Sequence, residues 1–224
     1  MTIREKVIEN LRALKDTGLD PSSAEYREGD DGYLGRQLEA TLGIPENNST
    51  GADCPEAGVE LKTKRKGSKA PTSLFTQEPE WVHPDIPNMR AAVQKLKNDT
   101  GRMNLVMTSK RNIHGLWLEW CNEKLVAYYE GAPLCEWTME RLKKAFEGKL
   151  ESLALVTADT SGSSTLLYEG FSQEKFKKAL TSGKVRVDFR AADYNGKKKF
   201  KNRGTAFRMM KKDLPSVYTT TTEI

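Results

Sequence analysis

The stretch Gly58-Val59-Glu60-Leu61-Lys62-Thr63-Lys64-Arg65, with Asp53 seven positions before Glu60, decides how this chain reads. Val59 and Leu61 are apolar and alternate with Glu60, Lys62 and Lys64, which is the two-residue period of a β-strand. Residues two apart on a strand share a face, so Glu60 and Lys62 are predicted to project together while Val59 and Leu61 enter a core. Asp53 is far enough upstream to lie on a neighbouring turn or strand and return to the same point. Two carboxylates meeting there supply oxygen ligands for Mg²⁺, with the Leu61 backbone carbonyl as a third, and the ammonium beside them helps hold the ion against a scissile phosphate. Lys62 would stand beside a water attacking a phosphate, fix its orientation and stabilise developing negative charge.

Outward from this strand the pattern alternates between helical and extended. Ile3, Val7, Ile8, Leu11 and Leu14 fall at helical spacing, and Gly18 stops that helix. A second helix is predicted around Gly32–Leu42, framed by glycines and stopped by Gly43 and Pro45. Residues 44–57 form an irregular connection into the 58–64 strand, and Ser73-Leu74-Phe75-Thr76 reads as the next strand. The proline-rich run 79–87 is loop-like, and a helix follows near 88–98. Strands are predicted at Leu105–Thr108, Leu116–Cys121, Lys124–Tyr129, Leu153–Val156, Val185–Arg190 and Thr205–Met210. Helices are predicted at Trp137–Phe146 and Ser172–Leu180, and Asn195-Gly196 is a hairpin turn. The class is α/β or α+β: a mixed sheet with flanking helices and a C-terminal hairpin. No repeat or clear linker breaks the 224 residues, so one domain is expected. It would have a catalytic lobe over about 1–110 and a second lobe over about 111–224.

Charge is distributed unevenly. The net charge is +5, a mild excess. Yet residues 62–69 hold five basic residues and no acid, and residues 184–212 hold eleven against Asp188 and Asp193. Basic clusters of this kind are the footprint of a phosphate backbone. No apolar run approaches the roughly 20 residues that span a bilayer. The N-terminus opens an amphipathic helix rather than a signal peptide, so a cytoplasmic location is expected. Three cysteines and two histidines without ligand spacing argue against zinc. Cys54 has no histidine nearby in sequence to make it a nucleophile, and Ser161-Gly162-Ser163-Ser164 reads as a flexible turn. His83 and His114 read as structural or surface residues. Trp81, Trp117, Trp120 and Trp137 read as core.

The helix Gly32–Gly43 carries Glu39, and the order and spacing of Glu39, Asp53, Glu60 and Lys62 resemble the core of MutH-like endonucleases in the PD-(D/E)XK nuclease superfamily. The resemblance implies that Glu39 joins the metal site of Asp53 and Glu60. The segment Lys199–Arg208, Lys212-Asp213-Leu214 and Ser73–Thr76 resemble the MvaI/BcnI branch of restriction endonucleases, which share that core and cut short GC-rich duplex sites. By that resemblance Asp188, Arg190 and Tyr194 fall on a first recognition strand facing the major groove, with Asn202, Arg203 and Arg208 on a second. The chemistry is consistent, since arginine bonds guanine O6 and N7 and a carboxylate accepts from cytosine N4. Lys64 and Arg65, in the first basic cluster, are expected on the phosphate backbone. One departure matters. Asn202-Arg203-Gly204 stands where the family has an Asn-His-Gly-like turn near the centre of its site, so the family's target sequence does not transfer.

The resemblance implies a Type II restriction endonuclease using Mg²⁺, with Mn²⁺ able to substitute, acting on double-stranded DNA. It also implies that the enzyme can work as a monomer and that a cognate DNA methyltransferase is a genetic partner. A MutH-like strand-nicking repair enzyme would share the same residues. A non-catalytic DNA-binding protein on a nuclease scaffold is the alternative of another class.

Overall fold

Thr2 sets the start of the first helix, α1 (Ile3–Thr17). Its hydroxyl accepts from the Glu5 backbone N–H at 3.2 Å, while the Glu5 carboxylate accepts from the Thr2 N–H at 2.6 Å. In this computed structural model the described residues are 1–19, 32–44, 52–96, 101–159, 162–192 and 200–224. After α1 come α2 (Tyr33–Thr41), β1 (Glu60–Arg65), β2 (Thr72–Thr76), β3 (Glu80–Trp81) and α3 (Met89–Leu96). Next are β4 (Arg102–Met107), β5 (Leu116–Cys121), β6 (Lys124–Tyr129), β7 (Ala132–Thr138) and α4 (Met139–Lys149). The chain ends through β8 (Ser152–Asp159), β9 (Gly162–Glu169), α5 (Gln173–Thr181), β10 (Val185–Ala192), β11 (Lys201–Met209) and β12 (Thr220–Glu223). The expected Asn195-Gly196 turn lies outside the described residues.

Two units divide the chain. The first holds Met1–Thr72, Phe146–Ser172 and Leu214–Ile224, and the second holds Ser73–Ala145 and Gln173–Asp213. The chain therefore crosses between them four times. No helix among the described residues is long and apolar enough to cross a membrane.

In the first unit a mixed sheet runs in the order β1-β8-β9-β12. β1 pairs in parallel with β8, which places Glu60 beside Leu153 and Lys62 beside Leu155, and the other pairs are antiparallel. Leu153, Ala154, Leu155 and Val156 are all fully buried, as a strand covered on both faces requires. Leu11 and Leu14 of α1 and Leu38 of α2 join Val59, Leu61, Ala154 and Val156 in one core. Arg4 of α1 ties the unit together. Its guanidinium donates to the Ala57 carbonyl (2.7 Å) and the Ser152 hydroxyl (2.9 Å), and pairs with Glu169 at 2.5 Å.

The second unit has one sheet ordered β2-β11-β10-β4 and another, antiparallel throughout, ordered β3-β7-β6-β5. Phe75 stacks on Phe207 at 4.5 Å, and Trp137 meets Phe207 edge-on at 5.5 Å. Trp137 is fully buried and donates its indole N–H to the Gln77 carbonyl at 2.9 Å.

Two expectations are corrected here. Trp137 is not the start of a helix. Residues 132–138 pair with β6, and Thr138 caps the helix by accepting from the Arg141 N–H, so α4 begins at Met139. The helix-favouring run after Thr138 masked a strand whose inward positions are Leu134, Cys135 and Trp137. Likewise Gly162, Ser163 and Ser164 are not a free turn but open β9. β8 has an edge to fill, and Ser163 is further held by donating to the Leu14 carbonyl at 2.6 Å.

Candidate nuclease site and DNA-facing sheet

A short hairpin brings Asp53 to Glu60. Cys54 and Val59 form an antiparallel bridge, exchanging N–H···O bonds of 3.0 and 3.2 Å around a single turn at Pro55–Ala57. Gly58 closes that turn at φ 63°, ψ 32°, a left-handed conformation that glycine adopts without a Cβ penalty. One step outward in the same register, Asp53 stands opposite Glu60. The Asp53 Oδ2 accepts from the Leu61 N–H at 2.9 Å. A strand residue sends its N–H and C=O to the same edge, so the Leu61 carbonyl also leaves on the Asp53 side, away from β8.

Glu60 is fully buried, as deep as Val59 and Leu61 on the opposite face. Its Oε1 accepts from Lys62, and Lys149, in the last turn of α4, lies 3.7 Å from the same oxygen. Oε2 is buried without a hydrogen-bond partner among the described residues. Burial is the main cause holding the Glu60 carboxyl above the usual glutamate range; Asp53 pushes the same way, while Lys62 and Lys149 oppose both. Next to it the Cys54 thiol is pushed up to about 11, first by burial and then by Asp53, Glu60 and Glu39. Cys54 is therefore a neutral thiol rather than a nucleophile, and the charges of three carboxylates contribute to that. α2 brings the third. Gly35 packs toward Thr63 of β1, a Cβ there falling 3.8 Å from the Thr63 hydroxyl, and Glu39 lies one turn further along the same helical face.

Among the described residues, no cluster of three or more His, Cys, Asp or Glu side chains forms a complete metal cage. The donor set is smaller, consisting of Asp53, Glu60 and the Leu61 carbonyl. It fits a hard cation that keeps waters and takes only one or two carboxylates, as Mg²⁺ does. The orphaned Oε2 of Glu60 is the observation that favours such a cation, because a buried carboxylate oxygen is costly to leave without a partner. Lys64 donates to the Ala70 carbonyl at 2.5 Å, and Arg65 is exposed at the end of β1.

In the second unit, Asp188, Arg190 and Arg208 share one face of β10 and β11. Arg208 donates to the Ser73 hydroxyl (3.0 Å) and to Asp188 Oδ2 (2.9 Å). Asp188, expected to meet a cytosine, is 6% exposed, and its Oδ1 is buried without a hydrogen-bond partner among the described residues. The β10–β11 register shifts between Phe189 and Ala191, so Arg203 and Gly204 together lie opposite Arg190. Arg190 holds that bulge by donating to the carbonyls of Arg203 (2.9 Å) and Gly204 (3.4 Å). Burial, and after it the nearby Arg208, lower the Arg190 pKa. Asn202 fixes the bulge from inside the strand, its side-chain oxygen accepting from the Gly204 N–H at 2.8 Å. Asn202 and Arg203 are exposed; Tyr194 lies outside the described residues.

The model of the MvaI/BcnI restriction endonuclease family matches residues 8–218, nearly the whole chain. The chain belongs to this family. Its fold is also similar to the solved structure of the restriction endonuclease MvaI with its cognate DNA substrate. That likeness has a TM-score of 0.74 at 20% identity, covering 100% of this chain and 99% of that one. MvaI in the absence of DNA matches with a TM-score of 0.54 at 19% identity, covering 100% and 98%. No curated protein matches. At such identities the structures show the restriction-endonuclease fold, and the family model shows membership.

Within this MvaI/BcnI member, two residues at the carboxylate cluster carried no signal in the sequence. Lys149 reaches Glu60 only because α4 ends beside β1. Arg4 holds the turn between Asp53 and Glu60 through the Ala57 carbonyl. Both are isolated basic residues on ordinary amphipathic helices, and only tertiary packing reveals them.

Proposed function

We propose that the chain is a Mg²⁺-dependent Type II restriction endonuclease that hydrolyses duplex DNA at a short specific site, with Mn²⁺ as a substitute cation. The observation that carries this reading is Glu60, a buried carboxylate with one orphaned oxygen, a second carboxylate across the hairpin and a lysine two residues along the strand. Asp53, Glu60 and the Leu61 carbonyl would hold the ion, and Glu39 would orient or share that site. The bound ion supplies Lewis acidity and lowers the pKa of water. Lys62 serves the attacking water and the charge growing on the phosphate. Lys64 and Arg65 would meet the backbone.

Specificity would come from the second unit. Asp188 and Ser73 hold Arg208 in one orientation, the condition for a guanidinium to read a base edge bidentately. Arg190 holds the bulge that exposes Arg203 and Asn202, and Tyr194 would complete the set. Because Arg203 stands where the family has histidine, the central base pair of the site is this chain's own. The protein would act in the cytoplasm, beside a methyltransferase that protects the host site, and as a monomer cutting the two strands in turn.

The test is digestion of a fully sequenced plasmid with Mg²⁺ and mapping of the ends. Site-specific double-strand breaks are expected. Glu60→Ala and Lys62→Ala should lower cleavage by at least about 10³-fold while duplex binding in a gel-shift assay persists. Normal cutting by both variants would sink the assignment. Nicks alone would favour the MutH-like reading, and no cleavage with either metal would favour a non-catalytic DNA-binding protein.

A further inference from the structure

The loop between β4 and β5 presents Ile113, which at 96% is the most exposed large apolar side chain among the described residues. Single exposed apolar residues are common, so exposure alone carries little. The loop around this one is rigid. The Asn112 side-chain oxygen accepts from the His114 N–H (2.9 Å) and the Leu116 N–H (3.0 Å), while its amide donates to the Val106 carbonyl at 2.9 Å. Gly115 turns the chain at φ 73° and donates to the Asn112 carbonyl at 3.0 Å. Arg111 lies 5.5 Å above Trp117, which is itself stacked on Tyr128 at 5.0 Å. The loop is thus pinned to two strands, and its tip points into solvent.

Charge and position narrow what the tip could meet. Lys110, Arg111 and His114 are exposed around Ile113, residues 108–115 contain no acid, and Glu130 lies beside Gly115. The loop runs along the free edge of β4, where Val106, 43% exposed, stands opposite Asp188 in the β4–β10 register. It therefore flanks the sheet face that carries Asp188 and Arg208. A protein partner would call for a broader apolar patch than a single side chain. A lone apolar tip bracketed by cations instead matches a wedge that enters a duplex while its neighbours meet phosphates.

We propose that residues 108–115 form a DNA-inserting loop, in which Ile113 presses on a base step of the bound duplex and Lys110 engages a flanking phosphate. This rests on the endonuclease reading above. The experiment uses full-length Lys62→Ala protein, which blocks cutting, and a duplex carrying the mapped site with 2-aminopurine at successive positions. Binding should raise the fluorescence at one step. Ile113→Ala should abolish that rise and weaken binding about tenfold, with an unchanged melting temperature, because the side chain packs against nothing. Ile113→Phe should restore the signal. Lys110→Ala should reduce the slope of log affinity against log salt by about one. If Ile113→Ala matches its parent in affinity and fluorescence, the inserting loop is overturned while the nuclease stands. If wild type cuts no plasmid and the parent binds no duplex, the endonuclease reading falls, and this proposal with it.

Discussion

Glu60 in the first unit and Asp188 in the second are both buried carboxylates with one oxygen lacking a hydrogen-bond partner among the described residues. Their company differs. Glu60 sits near a second carboxylate, Asp53, and is countered by the ammonium groups of Lys62 and Lys149. Asp188 is held by the planar guanidinium of Arg208, whose Nε is fixed by Ser73. An ammonium is a compact charge on a flexible stem, whereas a guanidinium locks its partner through directional bonds. If the proposed site is right, the first carboxylate would exchange partners when a cation arrives. The second belongs to a frame that should not move. On the proposed reading, similar burial would serve opposite ends: one site would concentrate negative charge to hold a metal, and the other would use a single negative charge to aim positive ones.

That contrast can be broken most decisively by neutralising each carboxylate in place. Glu60→Gln should cut turnover by at least about 10³-fold and leave DNA affinity within a few-fold. Asp188→Asn should keep turnover at saturating DNA yet shrink the preference for the mapped site over a one-base variant by about 10- to 100-fold. Competitive cleavage of two plasmids measures both, and an Asp188→Asn enzyme that binds its site normally but cannot cut would erase the distinction. A smaller effect is expected from Arg208→Lys. A lysine cannot keep both the Ser73 and Asp188 bonds, so discrimination should fall by about 1–3 kcal/mol with catalysis on non-specific DNA unchanged.

Smaller still is the response to metal alone. Mg²⁺ should raise the melting temperature of wild type and of Asp188→Asn but not of Glu60→Gln, because only the first two keep the site. Equal shifts in all three would place the cation elsewhere. The weakest effect is on pH. Burial holds the folded Glu60 carboxyl above the ordinary glutamate range, so between that range and its raised value the folded chain binds a proton the unfolded chain has released. Its contribution is fully present below the ordinary range and is lost as pH rises through the raised value. Chemical unfolding of the metal-free protein should show that decline, and Glu60→Gln should flatten it.

What could be read from the sequence follows the range of the interactions. Asp53, Glu60 and Lys62 are close in the chain, and one turn at Pro55–Ala57 closes their geometry, so strand periodicity and spacing sufficed. Glu39 required a family resemblance, because nothing local ties α2 to β1. Lys149 and Arg4 were invisible for the same reason taken further. β7 went unread, its last two residues assigned to a helix, because helix-favouring residues follow Thr138, and β9 because Gly162, Ser163 and Ser164 resemble a turn until β8 offers them an edge. Alternation on β10 put Asp188 on the polar face, correctly beside Arg190. It could not show that Arg208 and the neighbouring strand would bury it there.

The parallel pairing of β1 with β8 also sets an order of events on the ribosome. The strand that carries Glu60 and Lys62 gains its sheet neighbour only when residues 152–159 have emerged. By then residues 73–145, the larger segment of the other unit, have already been made. A nascent chain thus holds β1 without its parallel neighbour while residues 73–145 are being made, although the local turn at Pro55–Ala57 can already bring Asp53 to Glu60. The sheet that carries Glu60 is thus closed only after most of the second unit has been made, an order written into the parallel pairing itself.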